Sequence, residues 1–218
     1  MPGMHVLPID PIWQLDPRHP LPEHERRTSC AIAAVAMVLA STNRPLALDF
    51  IRGALLRAGG RDENGHWRHV AQVRLFSASG LLAWRRNWRA PGRDPGWLAR
   101  HEGYTLEQVA AVRNQTDREP DAPGEVRAWF SVRQVLDAGA PLIASVKPGF
   151  GANRQNHQVV VHGYGFNGAT ESVAITDPLV DPAQCAQPVL ITRDRFLSYF
   201  NQRAIFVAAP TGRAASIA

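Results

Sequence analysis

A buried helix that begins with a cysteine constrains the fold of this chain more than any other stretch. After Thr28 and Ser29, the sequence runs Cys-Ala-Ile-Ala-Ala-Val-Ala-Met-Val-Leu over residues 30–39. Thr28 or Ser29 is the predicted N-cap, since its hydroxyl can accept a hydrogen bond from one of the first N–H groups of a helix. Alanine, leucine and methionine favour helix. Because the segment is apolar on all sides, we expect this helix to lie in the core of the domain.

Cys30 falls in the first turn of that helix. The positive end of the helix dipole favours the thiolate form of a cysteine placed there. Cysteine is also among the residue types most often buried as inert core side chains, and this is the alternative. A reactive thiol needs a base beside it, so a catalytic role for Cys30 depends on what the rest of the chain supplies.

Length and composition predict one domain in a reducing compartment. The chain has 218 residues, 45% of them hydrophobic, and contains no apolar run of 18 residues, so we expect no membrane span. The N-terminus lacks a basic segment followed by an apolar one, which argues against a signal peptide. Two cysteines, Cys30 and Cys185, do not form a disulfide framework. We therefore expect a cytoplasmic protein, with an irregular segment at 1–11, the domain at 12–209 and a tail at 210–218.

Neither the basic charge of the chain nor the spacing of its histidines and cysteines gives much support to a nucleic-acid-binding or metal-binding role. Lysine and arginine number 24 against 19 acidic residues, for a net charge of +5. The densest basic cluster, residues 85–89, adjoins Trp84, and an aromatic ring among arginines could stack on a base. No binding motif accompanies it, so we prefer a solvated segment with the tryptophan packed inward. The histidines and cysteines show no zinc spacing, and we expect neither a metal nor another cofactor.

Hydrophobic periodicity predicts helices first and an antiparallel sheet afterwards, hence an α+β fold. Asn167-Gly168 is the clearest hairpin turn in the chain. Ser131 is the predicted N-cap of a short helix, and residues 114–125 read as a surface loop. The predicted helices are 29–41, 46–58, 69–79, 104–113, 131–138 and 193–200, and the predicted strands are 81–88, 141–146, 158–166, 171–177, 189–192 and 204–208.

The hairpin around Asn167-Gly168 predicts a partner for the cysteine. His157 opens its first strand and Asp177 closes its second, so the two side chains should meet at one edge of the sheet. A carboxylate beside an imidazole fixes its tautomer and stabilises its cation. His162 lies five residues from His157, on the opposite face of the strand, and we interpret it as a partly buried structural histidine. Asp181 competes with Asp177, but it lies in a loop beyond the strand.

Taken together, these motifs resemble cysteine peptidase family 39 and its stand-alone relatives, which share the papain-like fold of the double-glycine leader peptidases. The residues that carry the resemblance are Gln14-Leu15-Asp16, Cys30 with its helix, Trp67 with the helix ending at Gly80, Gly139-Ala-Pro-Leu-Ile-Ala-Ser-Val146, Asn156-His157-Gln-Val-Val-Val-His-Gly-Tyr164 and Ile175-Thr-Asp177-Pro178. The resemblance implies a papain-like fold, with N-terminal helices packed on a C-terminal antiparallel sheet.

The resemblance also implies roles for four residues. Cys30 would be the nucleophile, His157 the general base and Asp177 the carboxylate that orients it. Gln14 would donate its amide N–H₂ to the oxyanion, together with the backbone N–H of Cys30. Gln14 precedes Cys30 by 16 residues, so the loop at 16–27 must fold back. The alternative is that Gln14 is an ordinary polar residue.

These roles predict a cysteine peptidase that cleaves peptides or proteins through a thioester. The same triad could instead transfer the acyl group to an amine or thiol, as papain-like acyltransferases and amidases do. A second alternative is a non-catalytic module that holds a peptide in the cleft. Cys185 lies in a loop rich in proline and glutamine, and we expect no role for it.

Overall fold

The computed structural model describes residues 3–63, 65–88, 124–151 and 155–208, with the backbone alone at 124–127. The predicted helix at 104–113, most of the predicted loop at 114–125 and the tail at 210–218 lie outside these residues. The described helices are α1 (Glu23–Arg26), α2 (Cys30–Ser41), α3 (Leu48–Arg57), α4 (His69–Ala78), α5 (Gly124–Asp137) and α6 (Arg193–Tyr199). The described strands are β1 (His5–Val6), β2 (Leu82–Asn87), β3 (Leu142–Val146), β4 (His157–Asn167), β5 (Thr170–Thr176), β6 (Val189–Thr192) and β7 (Phe200–Ala208).

All the described strands join one antiparallel sheet, which confirms the predicted α+β class. The strand order is β2-β7-β3-β4-β5-β6, and β1 pairs with the far part of β4. The predicted hairpin forms between β4 and β5, with Asn167 paired to Thr170. Gly168 in the turn has a φ of +65°, a conformation that glycine adopts without steric cost. The hairpin brings the start of β4 and the end of β5 to the same edge of the sheet.

Helix α2 is the central helix, as predicted, but its start is built differently. Residues 31–39 are all buried, and the helix packs on β4 and α3. Ser29 occupies the N-cap position without accepting a helix N–H group. Its hydroxyl donates instead to the Arg26 carbonyl at 2.7 Å. The predicted side-chain cap is therefore wrong, because the short helix α1 places an acceptor next to the hydroxyl.

The sheet separates two hydrophobic cores. On one face, α2, α3 and α4 pack on Ile143, Val160 and Ile205; we call this the α2 core. On the other face, α5 and α6 pack on Leu142 and Phe206; we call this the α5 core. Alternation along β3 sends neighbouring side chains into different cores. Helices therefore cover both faces of the sheet.

Helix α5 begins earlier than predicted. Ser131 lies inside the helix and is buried, so its assignment as an N-cap is wrong. Ala128, Val132 and Val135 are buried at helical spacing, which carries the apolar face of α5 back beyond Ser131. The serine was a poor boundary signal because a small hydroxyl side chain also fits within a packed helix.

The segment predicted to be irregular at 1–11 contains the two-residue strand β1. It crosses β4 at Gly163, where a Cβ atom would meet the His5 carbonyl oxygen at 2.5 Å. His162 Nδ1 donates to the Leu7 carbonyl at 2.6 Å, and its Nε2 accepts from the Thr176 hydroxyl at 3.0 Å. His162 is thus structural, as interpreted, and buried completely rather than partly. None of the described helices is long and apolar enough to cross a membrane.

Candidate active site

Cys30 lies at the N-terminus of α2, in the wall of a cavity of about 850 Å³. It is partly exposed, whereas the nine residues that follow it are buried. As the first residue of the helix, Cys30 has a backbone N–H with no acceptor one turn earlier within the helix. The sulfur and a hydrogen-bond donor therefore lie at the same end of α2.

His157 and Asp177 meet at the edge of the sheet, as the hairpin predicts. His157 Nε2 and Asp177 Oδ1 are 2.7 Å apart, and both side chains are buried. The Leu179 backbone N–H donates to the same carboxylate oxygen at 2.9 Å. Because Nε2 donates to the carboxylate, Nδ1 is the ring nitrogen that is left to interact with a second partner. His157 also lines the cavity that contains Cys30.

The surroundings of His157 favour its charged form. Burial alone would lower the pKa of the imidazole, but hydrogen bonds to Asp177 and Cys30, with the charges of both groups, raise the pKa to about 9. The ring is therefore an imidazolium at neutral pH. Interaction with Cys30 contributes to this shift, so the three side chains form one coupled group.

The two competing residues lie outside this group. His162 is occupied by Leu7 and Thr176, and burial lowers its pKa, so it is a neutral imidazole. Asp181 accepts from the Ala183 backbone N–H at 2.9 Å within a turn. The structure thus brings together Cys30, His157 and Asp177 and separates His162 and Asp181 from them.

Gln14 reaches the start of α2 by the predicted return of its loop. Its side-chain Nε2 donates to the carbonyls of Arg26 and Arg27 at 2.9 and 3.2 Å, and its backbone N–H donates to the Pro178 carbonyl at 2.8 Å. Gln14 is 1% exposed, and its Oε1 has no hydrogen-bond partner. Gln14 thus ties the turn before Cys30, through its side chain, to the residue after Asp177, through its backbone N–H. Its role at the oxyanion stays a prediction.

Comparison with known proteins identifies the family. A family model described as Peptidase_C39 like family matches residues 6–202. The chain belongs to this family. Its membership confirms the predicted resemblance and the cysteine-type peptidase class. No curated protein matches the chain.

Two solved structures are similar to this member of the C39-like family. One is a double glycine motif protease from an AMS/PCAT transporter in complex with the leader peptide, at 17% identity and a TM-score of 0.48 over 94% of each chain. The other is the peptidase domain of Streptococcus ComA, a bi-functional ABC transporter involved in a quorum sensing pathway. It is 16% identical, with a TM-score of 0.46, over 84% of this chain and 93% of that one.

In this C39-like chain, the segment before α4 forms a second wall of the cavity. Trp67 donates its indole N–H to the Thr28 carbonyl at 2.8 Å, two residues before Cys30. The Arg61 guanidinium lies 4.6 Å from the Trp67 ring centroid, and Arg61 also approaches Glu25 at 3.8 Å. These contacts fix the wall to the turn that presents the cysteine. Sequence reasoning used Trp67 only as part of the family pattern and missed its contact with Thr28.

Polar side chains from α4 and from the sheet also line the cavity. His69 Nε2 lies 2.9 Å from the Ser145 hydroxyl, and burial, followed by the charges of Arg85 and Arg203, lowers the pKa of His69 to about 3. Sequence reasoning did not single out His69 or Ser145, because their sequence separation hides their contact. Within the described ranges, no cluster of three or more histidine, cysteine or acidic side chains could hold a metal ion.

Proposed function

We propose that this chain hydrolyses peptide bonds, with Cys30 as nucleophile, His157 as acid and base, and Asp177 as the orienting carboxylate. The observation that carries the proposal is the buried 2.7 Å contact between His157 and Asp177, at the cavity that also contains Cys30. A peptide or protein substrate follows from the peptidase family. The free thiols of Cys30 and Cys185 are consistent with a reducing compartment such as the cytoplasm.

In the proposed mechanism, the imidazolium of His157 pairs with the Cys30 thiolate. The sulfur attacks the scissile carbonyl carbon, and the negative charge on the carbonyl oxygen is stabilised by the Cys30 backbone N–H. His157 gives its Nδ1 proton to the leaving amine as the C–N bond breaks and a thioester remains. His157 then removes a proton from water, whose oxygen attacks the thioester and releases the acid and the thiolate. Asp177 holds the ring in place throughout.

Gln14 remains the proposed second donor to the oxyanion. The return of its loop to the start of α2 supports this role. The amide now donates to the carbonyls of Arg26 and Arg27, so it would have to rotate away from at least one of them to reach the oxyanion. The Cys30 backbone N–H needs no such change.

The test uses the two cysteines as a matched pair. Cys185 is exposed and lies outside the cavity lining, so Cys185→Ala should cleave a fluorogenic peptide library as the wild type does. Cys30→Ala should lower kcat/KM by at least about 10³-fold, because the nucleophile is lost. Mass spectrometry of quenched wild-type reactions should find an acyl group on Cys30. Hydrolysis that survives in Cys30→Ala would refute the proposal, and products formed mainly with an added amine would indicate acyl transfer.

A further inference from the structure

A row of polar side chains interrupts the apolar face of the sheet beside Cys30. Asn87 of β2 pairs with Arg203 of β7, and Ser145 of β3 pairs with Gln158 of β4. Ser145 faces the irregular part of β7 between Phe200 and Ala204. Two residues further along β7, β3 and β4, the same face carries Ile205, Ile143 and Val160 in the α2 core. The four polar residues all line the cavity that contains Cys30, so they form a continuous polar floor there.

The buried side chain of Gln158 indicates that the polar floor is suited to binding a ligand. The residue is 6% exposed, and its Oε1 is buried without a hydrogen-bond partner in the described part of the chain. Buried acceptors are almost always paired, because an unpaired one has lost its water without gaining a donor. Gln158 follows His157 directly and lines the cavity, so a bound substrate could supply the missing N–H group.

Among the described residues that line the cavity, arginines outnumber carboxylates. Arg27, Arg68, Arg85 and Arg203 line the cavity, whereas Asp62 is the one carboxylate among the described lining residues. Asp62 accepts from the backbone N–H of His66 at 2.9 Å, within its own loop. Arg85 and Arg203 both act on His69 strongly enough to help keep that imidazole neutral. Arg203 is exposed and Arg85 is half-buried. A concave surface lined by charges of one sign attracts an anionic group more strongly than a lone arginine on an open surface does.

We propose that this polar floor is a subsite for a carboxylate of the peptide substrate. Arg203, assisted by Arg85, pairs with the carboxylate, and Gln158 Oε1 accepts a backbone N–H from the same peptide. The subsite names a substrate class for the proposed peptidase and rests on that function. The carboxylate could belong to an aspartate or glutamate side chain near the scissile bond, or to the C-terminus of the peptide.

The test is a cleavage profile on a library of peptides from a digested bacterial proteome. Wild type should enrich aspartate and glutamate at one position beside the cleaved bond if the side chain is bound. If the terminal carboxylate is bound instead, cleavage should stay at a fixed distance from the C-terminus and be lost on C-terminal amidation. Arg203→Gln should lower kcat/KM for the preferred peptides by about 10- to 100-fold, and Arg203→Glu should shift the preference towards lysine and arginine.

Arg195→Gln is the matched control, because Arg195 is an exposed arginine of α6 outside the cavity lining. A wild-type profile with neither acidic enrichment nor dependence on the C-terminal carboxylate would overturn the subsite while leaving the peptidase intact. Binding to the Cys30→Ala variant separates the two proposals. Suppose that the wild type cleaves no peptide, but that Cys30→Ala binds fluorescent Glu-containing peptides more tightly than their Gln counterparts. If adding Arg203→Gln removes that difference, the subsite stands and the peptidase proposal fails. If Glu and Gln peptides bind equally, the subsite fails as well.

Discussion

The chemistry of the site depends on the individual side chains that contact His157 and set its charge. Burial opposes its positive charge, and only the contacts with Asp177 and Cys30 reverse that effect. The sequence could predict the pair with Asp177, since two strands joined by Asn167-Gly168 return to the same edge of the sheet. It could not predict the balance between burial and pairing, because that balance depends on residues far away in the chain.

Removing the charge of Asp177 should impair the site while preserving its shape. Asp177→Asn cannot stabilise the imidazolium, so the pKa of His157 should fall and the alkaline limb of the kcat/KM profile should move to lower pH. We expect kcat/KM at neutral pH to fall by about 10²- to 10⁴-fold. Asp181→Asn, which alters a carboxylate that caps a turn outside the Cys30–His157–Asp177 group, should keep the wild-type profile. Equal losses in both variants would contradict the assigned role of Asp177.

The raised pKa of His157 also predicts how stability depends on pH. The folded protein holds this proton more tightly, with a pKa of about 9 against 6.5 for an ordinary histidine. The contribution to the free energy of unfolding is therefore complete below about pH 6.5 and disappears as pH rises through 9. Urea unfolding of wild type and His157→Gln should differ most at pH 6 and less at pH 9.5. A difference that grows with pH would contradict the raised pKa.

Among the elements, the N-terminus of α2 is held by contacts from outside the helix. Ser29 binds the preceding turn, Gln14 binds the carbonyls of Arg26 and Arg27, and Trp67 binds Thr28. The buried body of α2 fixes the helix axis, whereas these contacts fix the turn that leads into Cys30. Small changes here should therefore affect catalysis more than folding.

Trp67→Phe tests this separation. The variant loses the hydrogen bond to Thr28, worth about 1 kcal/mol, and should lower kcat/KM by about 10-fold as Cys30 becomes less precisely placed. Trp129 is the matched control, because it lies in the α5 core and its indole N–H has no partner in the described structure. Trp129→Phe loses no hydrogen bond, so activity should be unchanged. Kinetics and thermal melts of both variants give the comparison, and unchanged kinetics in Trp67→Phe would contradict the positioning role.

The helices and strands also show which structural features can be predicted from the sequence. The strand 189–192 and the start of α4 at His69 were predicted as observed, because period and turn residues are local signals. Ser29 and Ser131 were wrong as caps, since serine has other uses within a packed fold. Strand β1 has two residues, too few to show a period, and the segment that contains it can approach β4 closely because Gly163 and Gly165 have no Cβ atom. Contacts between distant segments that neither a turn nor the family pattern links, such as those of Trp67 with Thr28 and of His69 with Ser145, were thus the part that sequence could not supply.

At the scale of the whole molecule, the sheet lies between the α2 core and the α5 core and contributes side chains to both. Strands β3, β4 and β7 each contribute side chains to both cores, so neither core can form without the sheet. Leu142 enters the α5 core and its neighbour Ile143 enters the α2 core, and both are fully buried. The site lies at the edge where α2 meets the sheet, and its geometry therefore depends on both layers of helices.

Because the two cores share one sheet, we predict that they unfold together. Leu142→Ala and Ile143→Ala should each lower the free energy of unfolding by about 2–5 kcal/mol, through lost burial and the cavity left behind. Native-state hydrogen exchange, followed by mass spectrometry, should show equal losses in peptides from α2 and from residues 128–137 of α5 for either variant. Leu190→Ala, at an exposed position of the edge strand β6, should change little. If Ile143→Ala weakened α2 alone and Leu142→Ala weakened α5 alone, the layers would be separate folding units, and the cysteine could shift relative to His157 while the rest of the sheet stayed folded.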